Sequence, residues 1–374
     1  MPRAILLDTM RAMMEIPTAP FREQWVIHHV EQAIAGLPGV EMESDRFGNR
    51  IIRLRRGKPK GAPLVFVAHL DHPGFVFEKD APIRNQSGRY LIEGVFEGRV
   101  RTQYFPSAPV RLFRSPEDTG IPGTVAKITE ERPVEDNRHA VIETADDPAG
   151  AVLGMWDFPA CEEKDGLVAS RACDDLAGCA ILLEALRREA LDSTAPIDLS
   201  LVYTRAEECG FCGALCLMEE RPFPRLLAED GIFVSVETSA ETGPAILGAG
   251  AIVRIGDRTT TFDGNAADDL WAAGQEQGLP VKRALMDRGT CEATVIARAG
   301  LRTAAVCIPL RNYHNMDTAA ERLAPEMVSA GDAEALLGLV RALAQRQGTS
   351  QPARPVVNQR YTLFLEKGRH LLTE

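Results

Sequence analysis

Two histidines and a series of acidic residues stand where an α/β chain concentrates its chemistry, directly after short apolar runs. His69 and Asp71 follow Leu64 to Ala68, Asp174 and Asp175 precede a helical segment, Glu207 and Glu208 follow Ile197 to Tyr203, Glu237 follows Ile232 to Val236, and His314 follows Thr303 to Ile308. In open α/β sheets ligands collect at the carboxyl ends of the strands, so these residues are expected to converge on one edge. Two imidazoles and at least four carboxylates carry too much negative charge to bury together unless cations sit among them. A mixed imidazole and carboxylate set suits Zn, Co or Mn better than Mg or Ca, and a carboxylate bridging two ions about 3.5 to 4 Å apart makes a two-metal hydrolytic site. Asp71, two residues beyond His69, is placed to orient the imidazole. Each feature alone has a plainer reading: a core histidine, an N-cap pair at Asp174-Asp175, a solvated loop at Glu207-Glu208. Their recurrence after successive strands favours metal. Sugar hydrolysis by a metal-free carboxylate pair is disfavoured by the histidines.

Such residues need strands and helices in alternation to position them. The strand candidates alternate with helix-period segments at Arg22 to Leu37, Leu176 to Arg188, Gly213 to Glu220, Ala266 to Gln277 and Pro325 to Arg346. This predicts an α/β fold with a mixed, largely parallel sheet sandwiched by helices. The first residues, with Ile5, Leu6, Leu7, Met10, Met13 and Met14 broken by Asp8, Arg11 and Glu15, read as an amphipathic helix rather than a signal peptide. Turn chemistry at Asp45 to Asn49 predicts a hairpin before the first buried strand. Between about residues 73 and 165 the texture becomes β-rich, with Val95-Phe96, Val110 to Phe113, Thr124 to Thr129 and Ala140 to Thr144 as strand candidates. We expect an inserted, small β-barrel-like domain over 73–165 that divides the α/β domain into 1–72 and 166–374. The stretch from Gln347 to Glu374 carries no readable role.

The chain has 374 residues, 45% apolar and 25% charged, which excludes disorder, collagen and coiled coil as descriptions of the whole. With 42 Lys and Arg against 53 Asp and Glu, the net charge of −11 argues against a nucleic-acid partner. Apolar runs such as Pro63 to Ala68 fall far short of the roughly 20 residues that span a bilayer, so no membrane partner is expected and a cytoplasmic location is the default. The eight cysteines are expected as reduced thiols; Cys209-x-x-Cys212 with Cys216 lacks a second pair or a nearby histidine and reads as packing.

With these residues in hand, the sequence resembles the co-catalytic metallopeptidases, most closely the glutamyl or deblocking aminopeptidase family, some of whose members carry endoglucanase-like names. The family motifs A-H-M-D-x-x-G-F, A-x-D-D-x-x-G-C-A-x-L-L-E, E-E-x-G-x-x-G-A and I-P-x-R-x-x-H are matched, in order, by residues 68–75, 172–184, 207–214 and 308–314. The resemblance implies that Asp174 bridges two divalent ions, with Zn, Co or Mn the candidates. It implies further that His69 and Glu237 complete one metal site, that Glu208 and His314 complete the other, and that Glu207 is the general base. It also implies a cis peptide after Asp174, and places Gly289-Thr290-Cys291-Glu292-Ala293 along the cleft. Related deacylases and carboxypeptidases carry their extra domain between the last two ligands; here the long interval lies between His69 and Asp174, which fits the aminopeptidase branch and its oligomers.

Two positions depart from the family pattern. Glu237 stands where Asp is usual, and His72-Pro73 replaces an acidic-apolar pair, which makes His72 a rival ligand to consider. The expected function is a metal-dependent aminopeptidase acting on a peptide or small amide, in a homo-oligomer. A deacylase of N-acyl amino acids and a catalytically silent binding or assembly protein are the alternatives.

Overall fold

Strand Leu64–His69 is buried along its whole length, because its side chains alternate between two cores. Leu64, Phe66 and Ala68 enter a large cluster on one side of the sheet, while Val65 and Val67 enter a smaller one on the other. A fully apolar run of this kind belongs at the centre of a sheet covered on both faces. In the computed structural model, which describes residues 2–132, 137–220, 231–346 and 369, that is where it lies.

The main sheet is mixed and runs in the order Val40–Ser44, Arg50–Arg56, Ile197–Thr204, Leu64–His69, Ile232–Ala240, Thr303–Arg311, Glu326–Ser329, Leu167–Ser170, Glu162–Lys164, with Ala251–Asp257 and Val281–Met286 branching from Thr303–Arg311. Parallel pairing joins the four central strands Ile197–Thr204, Leu64–His69, Ile232–Ala240 and Thr303–Arg311. Both flanks are predominantly antiparallel. Helices Pro2–Met14, Gln24–Ile34, Leu176–Asp192, Gly264–Glu276 and Ala330–Arg346 fill the larger core, Leu6, Val26, Leu182, Leu270 and Leu336 among their buried residues. Leu217 and Met218 of Cys212–Glu220 and Ile296 of Glu292–Arg298 cover the opposite face.

A second sheet closes on itself. Its order is Gly74–Val76, Leu153–Trp156, Pro109–Phe113, Ile121–Arg132, Asn137–Thr144 and Arg89–Glu97, and the last pairs back to the first. Closure removes the exposed edges that an open antiparallel sheet would present. Its interior is aromatic: Phe75, Phe96, Phe105 and Trp156 meet with ring centroids 4.7 to 5.4 Å apart among their closest pairs.

One helix expected from the pattern is two elements. Of Pro325 to Arg346, Glu326–Ser329 is a strand paired to Leu167–Ser170 and to the end of Thr303–Arg311, and the helix starts at Ala330. The ladder supplies the backbone bonds that helical periodicity alone had assigned to a turn. The helix predicted over Arg22 to Leu37 shortens to Gln24–Ile34, with Gly36 at φ 76° just beyond its end. Ala251–Asp257, Val281–Met286 and Glu292–Arg298 were not anticipated. Apart from Arg369, the stretch from Gln347 lies outside the described residues. Among the described residues no helix is long and apolar enough to cross a membrane.

Phe96→Ala should cost about 3 to 5 kcal/mol, since the removed ring leaves a cavity between two phenylalanines and a tryptophan. Urea denaturation checks this; a loss below about 1 kcal/mol would mean that the barrel interior collapses around the gap.

Candidate metal centre

Parallel register brings the predicted residues to one level. Thr204 pairs with His69, so the chain turns into Glu207 and Glu208 just above the histidine. Ser235 pairs with Val67, which sets Glu237 level with His69 on the other side. Asp174, at the mouth of helix Leu176–Asp192, and His314, beyond Thr303–Arg311, complete the group. Asp174 Oδ1 lies 3.6 Å from His69 Nε2, and Asp174 Oδ2 lies 3.7 Å from His314 Nε2. Glu237 Oε2 and Glu207 Oε2 stand 3.9 and 4.0 Å from His69 Nε2, and Glu208 Oε2 is 3.0 Å from His314 Nε2.

Each imidazole is turned by a carbonyl. His69 Nδ1–H donates to the main-chain oxygen of Asp71 at 3.1 Å, and His314 Nδ1–H donates to that of Arg99 in the barrel at 3.0 Å. A carbonyl only accepts, so each Nδ1 keeps its proton and each Nε2 is the ring nitrogen turned into the site, the one a metal ion would take. The Asp71 carboxylate is 3.6 Å from His69 Nδ1 and accepts from the backbone N–H groups of Glu207 and Glu208 at 2.9 and 3.1 Å. It therefore positions the Glu207-Glu208 segment as well as neighbouring His69. His72 is turned away from the cluster, its two ring nitrogens on the Asp174 carbonyl and Asn315 Oδ1.

Two motif glycines are demanded by space. A Cβ on Gly178 would sit 2.4 Å from Asp175 Oδ1, and one on Gly213 would sit 2.5 Å from the Arg205 carbonyl oxygen. The bond between Asp174 and Asp175 is cis.

Crowding so many carboxylates out of water has an electrostatic consequence. Burial pushes the Glu207 carboxyl well above its usual range and Glu237 up to about 8, with His69 only partly offsetting it. Burial disfavours the imidazolium of His314, yet Glu208 and Asp174 overcome this and hold it at about 9. Asp174 goes the other way: burial opposes its charge, but hydrogen bonding and charge from His69, with His314 and His72 behind, lower it. Metal cations fit this donor set. Glu208 Oε1 and His314 Nε2 are buried without hydrogen bonds, and three groups (His69, Glu207, Glu208; His69, Asp175, Glu237; Asp174, Glu208, His314) offer donor atoms mutually within 4.8 Å. None of the three contains a cysteine; all eight thiols are free.

Several participants escaped sequence reading because nothing local marks them. Thr238 Oγ1 donates to Asp174 Oδ1, and the buried Glu326 carboxylate accepts from the backbone N–H groups of Cys173 and Asp174. The cluster opens into a cavity of about 810 Å³ whose lining includes Arg99, Arg101, Arg258, Arg288 and Arg311 together with Glu207, Glu237, Glu241 and Asp317, a concentration of arginines on an acidic chain.

Residues 151–328 match the family model described as M42 glutamyl aminopeptidase. No curated protein matches the sequence. The fold is similar to that of an aminopeptidase from the archaeon Desulfurococcus kamchatkensis (17% identity, 95% of this chain and 99% of that one, TM-score 0.72). It is also similar to the Pyrococcus horikoshii TET1 peptidase (18%, 91% and 99%, 0.70) and to a Thermotoga maritima protein named endoglucanase (19%, 91% and 97%, 0.64). At these identities the likeness is one of fold. The family match spans the segments carrying Asp174, Glu207, Glu208, Glu237 and His314 and supports a metal-dependent peptide hydrolase.

Asp71→Asn leaves one carbonyl oxygen for two backbone donors. We expect a loss of about 1 to 3 kcal/mol in thermal unfolding and at least about a tenfold fall in turnover. Wild-type turnover in this variant would show that Glu207 and Glu208 keep their places without the second acceptor.

Proposed function

We propose that the chain removes N-terminal residues from peptides, with His69, Asp174 and Glu237 holding one divalent ion, Asp174, Glu208 and His314 holding a second, and Glu207 acting as general base. The observation that carries this reading is Asp174, whose two oxygens face two different imidazoles from the middle of the cluster. Zn is the ion we assign first, with Co and Mn as alternatives for the same donors. Such ions supply Lewis acidity, acidifying water and polarising the scissile carbonyl.

Glu207 lines the cleft beside His69, whereas the Glu208 carboxylate lies against His314. The Glu207 carboxylate takes a proton from the attacking water and returns it to the leaving nitrogen. Asp71 holds its backbone so that the carboxylate faces the cleft. An acidic floor favours a substrate carrying a cationic α-amine over a neutral acylated one. The arginine-lined mouth favours acidic side chains on that substrate, in keeping with the glutamyl specificity in the family's name. The same arginines suit the carboxylate of an N-acyl amino acid, so deacylation is the reading to test against. We read residues 1–72 and 166–374 as the catalytic unit and 73–165 as the insert that helps shape its mouth. We also infer a homo-oligomer, supported by the tetrahedral and octahedral shells described for the Pyrococcus horikoshii TET1 peptidase.

Metal content per chain by mass spectrometry, with hydrolysis of matched free-amine and N-acetylated substrates, tests the proposal. We expect near two ions and turnover on free amines, abolished by chelation and restored by Zn, Co or Mn; preference for the acetylated series would transfer the chain to the deacylases. Glu207→Gln should keep fold and metal yet lose at least about 100-fold in turnover. Wild-type rates in that metal-loaded variant would remove Glu207 from the base role. Exchanging Arg258 and Arg288 together for Ala should raise KM for glutamyl and aspartyl substrates several-fold with little change for leucyl ones, and added salt should act in the same direction. An equal effect on all substrates would refute a specificity role for the mouth.

A further inference from the structure

Three strands meet behind the metal cluster. Glu326–Ser329 pairs on one side with Leu167–Ser170, which leads into Asp174, and on the other with Thr303–Arg311, which leads into His314. Its first residue, Glu326, is completely buried. Glu326 Oε2 accepts from the backbone N–H groups of Cys173 and Asp174 at 2.8 and 3.0 Å, and Oε1 accepts from that of His314 at 2.8 Å. One carboxylate thus spans the two ligand-bearing segments. Three backbone donors meet its two oxygens and partly offset the cost of burying them.

The other side of the Asp174 residue is held too. His72, also completely buried, donates from Nδ1 to the Asp174 carbonyl at 2.6 Å. Its Nε2 reaches Asn315 Oδ1 at 3.0 Å, and Asn315 Nδ2 donates to the carbonyl of Ala324, two residues before Glu326. The loop carrying His314 needs such support, because Asn312, His314 and Asn315 all have left-handed backbone, at φ 59°, 55° and 60°. Side chains with a Cβ disfavour that region and persist there only when their surroundings determine it.

We propose that Glu326 and His72 are positioning residues which clamp Asp174 at its N–H and its C=O and tie it to the His314 loop, fixing the bridging aspartate relative to the second imidazole. The proposal rests on the two-metal reading above. It also gives the replacement of an acidic residue by His72 a specific use: an imidazole N–H can donate to the Asp174 carbonyl, and a carboxylate cannot.

The test is calorimetric titration of the metal-free full chain with Co(II), read with the visible spectrum of the cobalt-loaded protein, for wild type, Glu326→Gln, His72→Phe and His72→Asn. Glu326→Gln presents an amide NH₂ to a backbone donor, and His72→Phe keeps a ring without its N–H groups; His72→Asn restores a donor near the Nδ1 position. For the first two we expect a cooperative thermal transition, a changed cobalt spectrum, a lower kcat at similar KM, and one of the two ions bound at least about tenfold more weakly. His72→Asn should recover most of the affinity and the spectrum. Wild-type affinity and spectrum in both Glu326→Gln and His72→Phe would overturn the clamp, as would His72→Asn performing no better than His72→Phe. Should Glu326→Gln not fold, the His72 pair decides alone. A wild-type chain that takes up no second ion would instead sink the two-metal reading on which the clamp depends.

Discussion

Concentrated negative charge in a dry place is the constraint that shapes this molecule. The parallel centre of the sheet delivers His69, Glu207, Glu208 and Glu237 to one edge, and Asp174 and His314 close the group from the neighbouring helix and loop. Carboxylates at 3 to 4 Å from shared imidazoles repel one another unless protons, hydrogen bonds or cations intervene. Burial pushes Glu207 and Glu237 upward and the neighbouring acids add to it, and a divalent cation resolves that conflict most completely.

Two kinds of buried acid around the cluster differ in what meets them. Asp71, Glu326 and Glu23 are met by backbone N–H groups: Asp71 by Glu207 and Glu208, Glu326 by Cys173, Asp174 and His314, and Glu23 by Phe21 and Ala206, with the Arg205 guanidinium on its other oxygen. They hold the loops that carry the chemistry. Asp174, Glu208 and Glu237 keep oxygens turned toward histidine nitrogens instead, and these are the ones with capacity for metal.

The barrel is joined to this chemistry through Arg99. Its carbonyl orients His314, and with Arg101 it adds to the arginine-rich mouth of the cleft. A net charge of −11 gave no hint of such a mouth, because substrates respond to the local field rather than to the sum over the chain.

Much of the fold could be read from one-dimensional pattern. The continuous apolar run Leu64 to Ala68 and the helical period of residues 176–188 announced central strands and covering helices, and ionisable residues after successive strands announced where they would gather. Pattern failed where pairing decided the outcome, as at Glu326–Ser329, whose residues fit a helix until two neighbouring strands offer a ladder. It was equally blind to Glu326, Thr238, Arg254 and the carbonyl of Arg99, since a buried acid or a main-chain oxygen has no spacing that reveals its partner. The sequence by itself determined which residue types could do the chemistry and which strand ends would carry them, because side-chain period and the residues that follow an apolar run are local properties. Only the tertiary structure decided which oxygen faces which nitrogen, because those contacts join residues more than a hundred positions apart, such as His69 with Asp174 and Cys173 with Glu326.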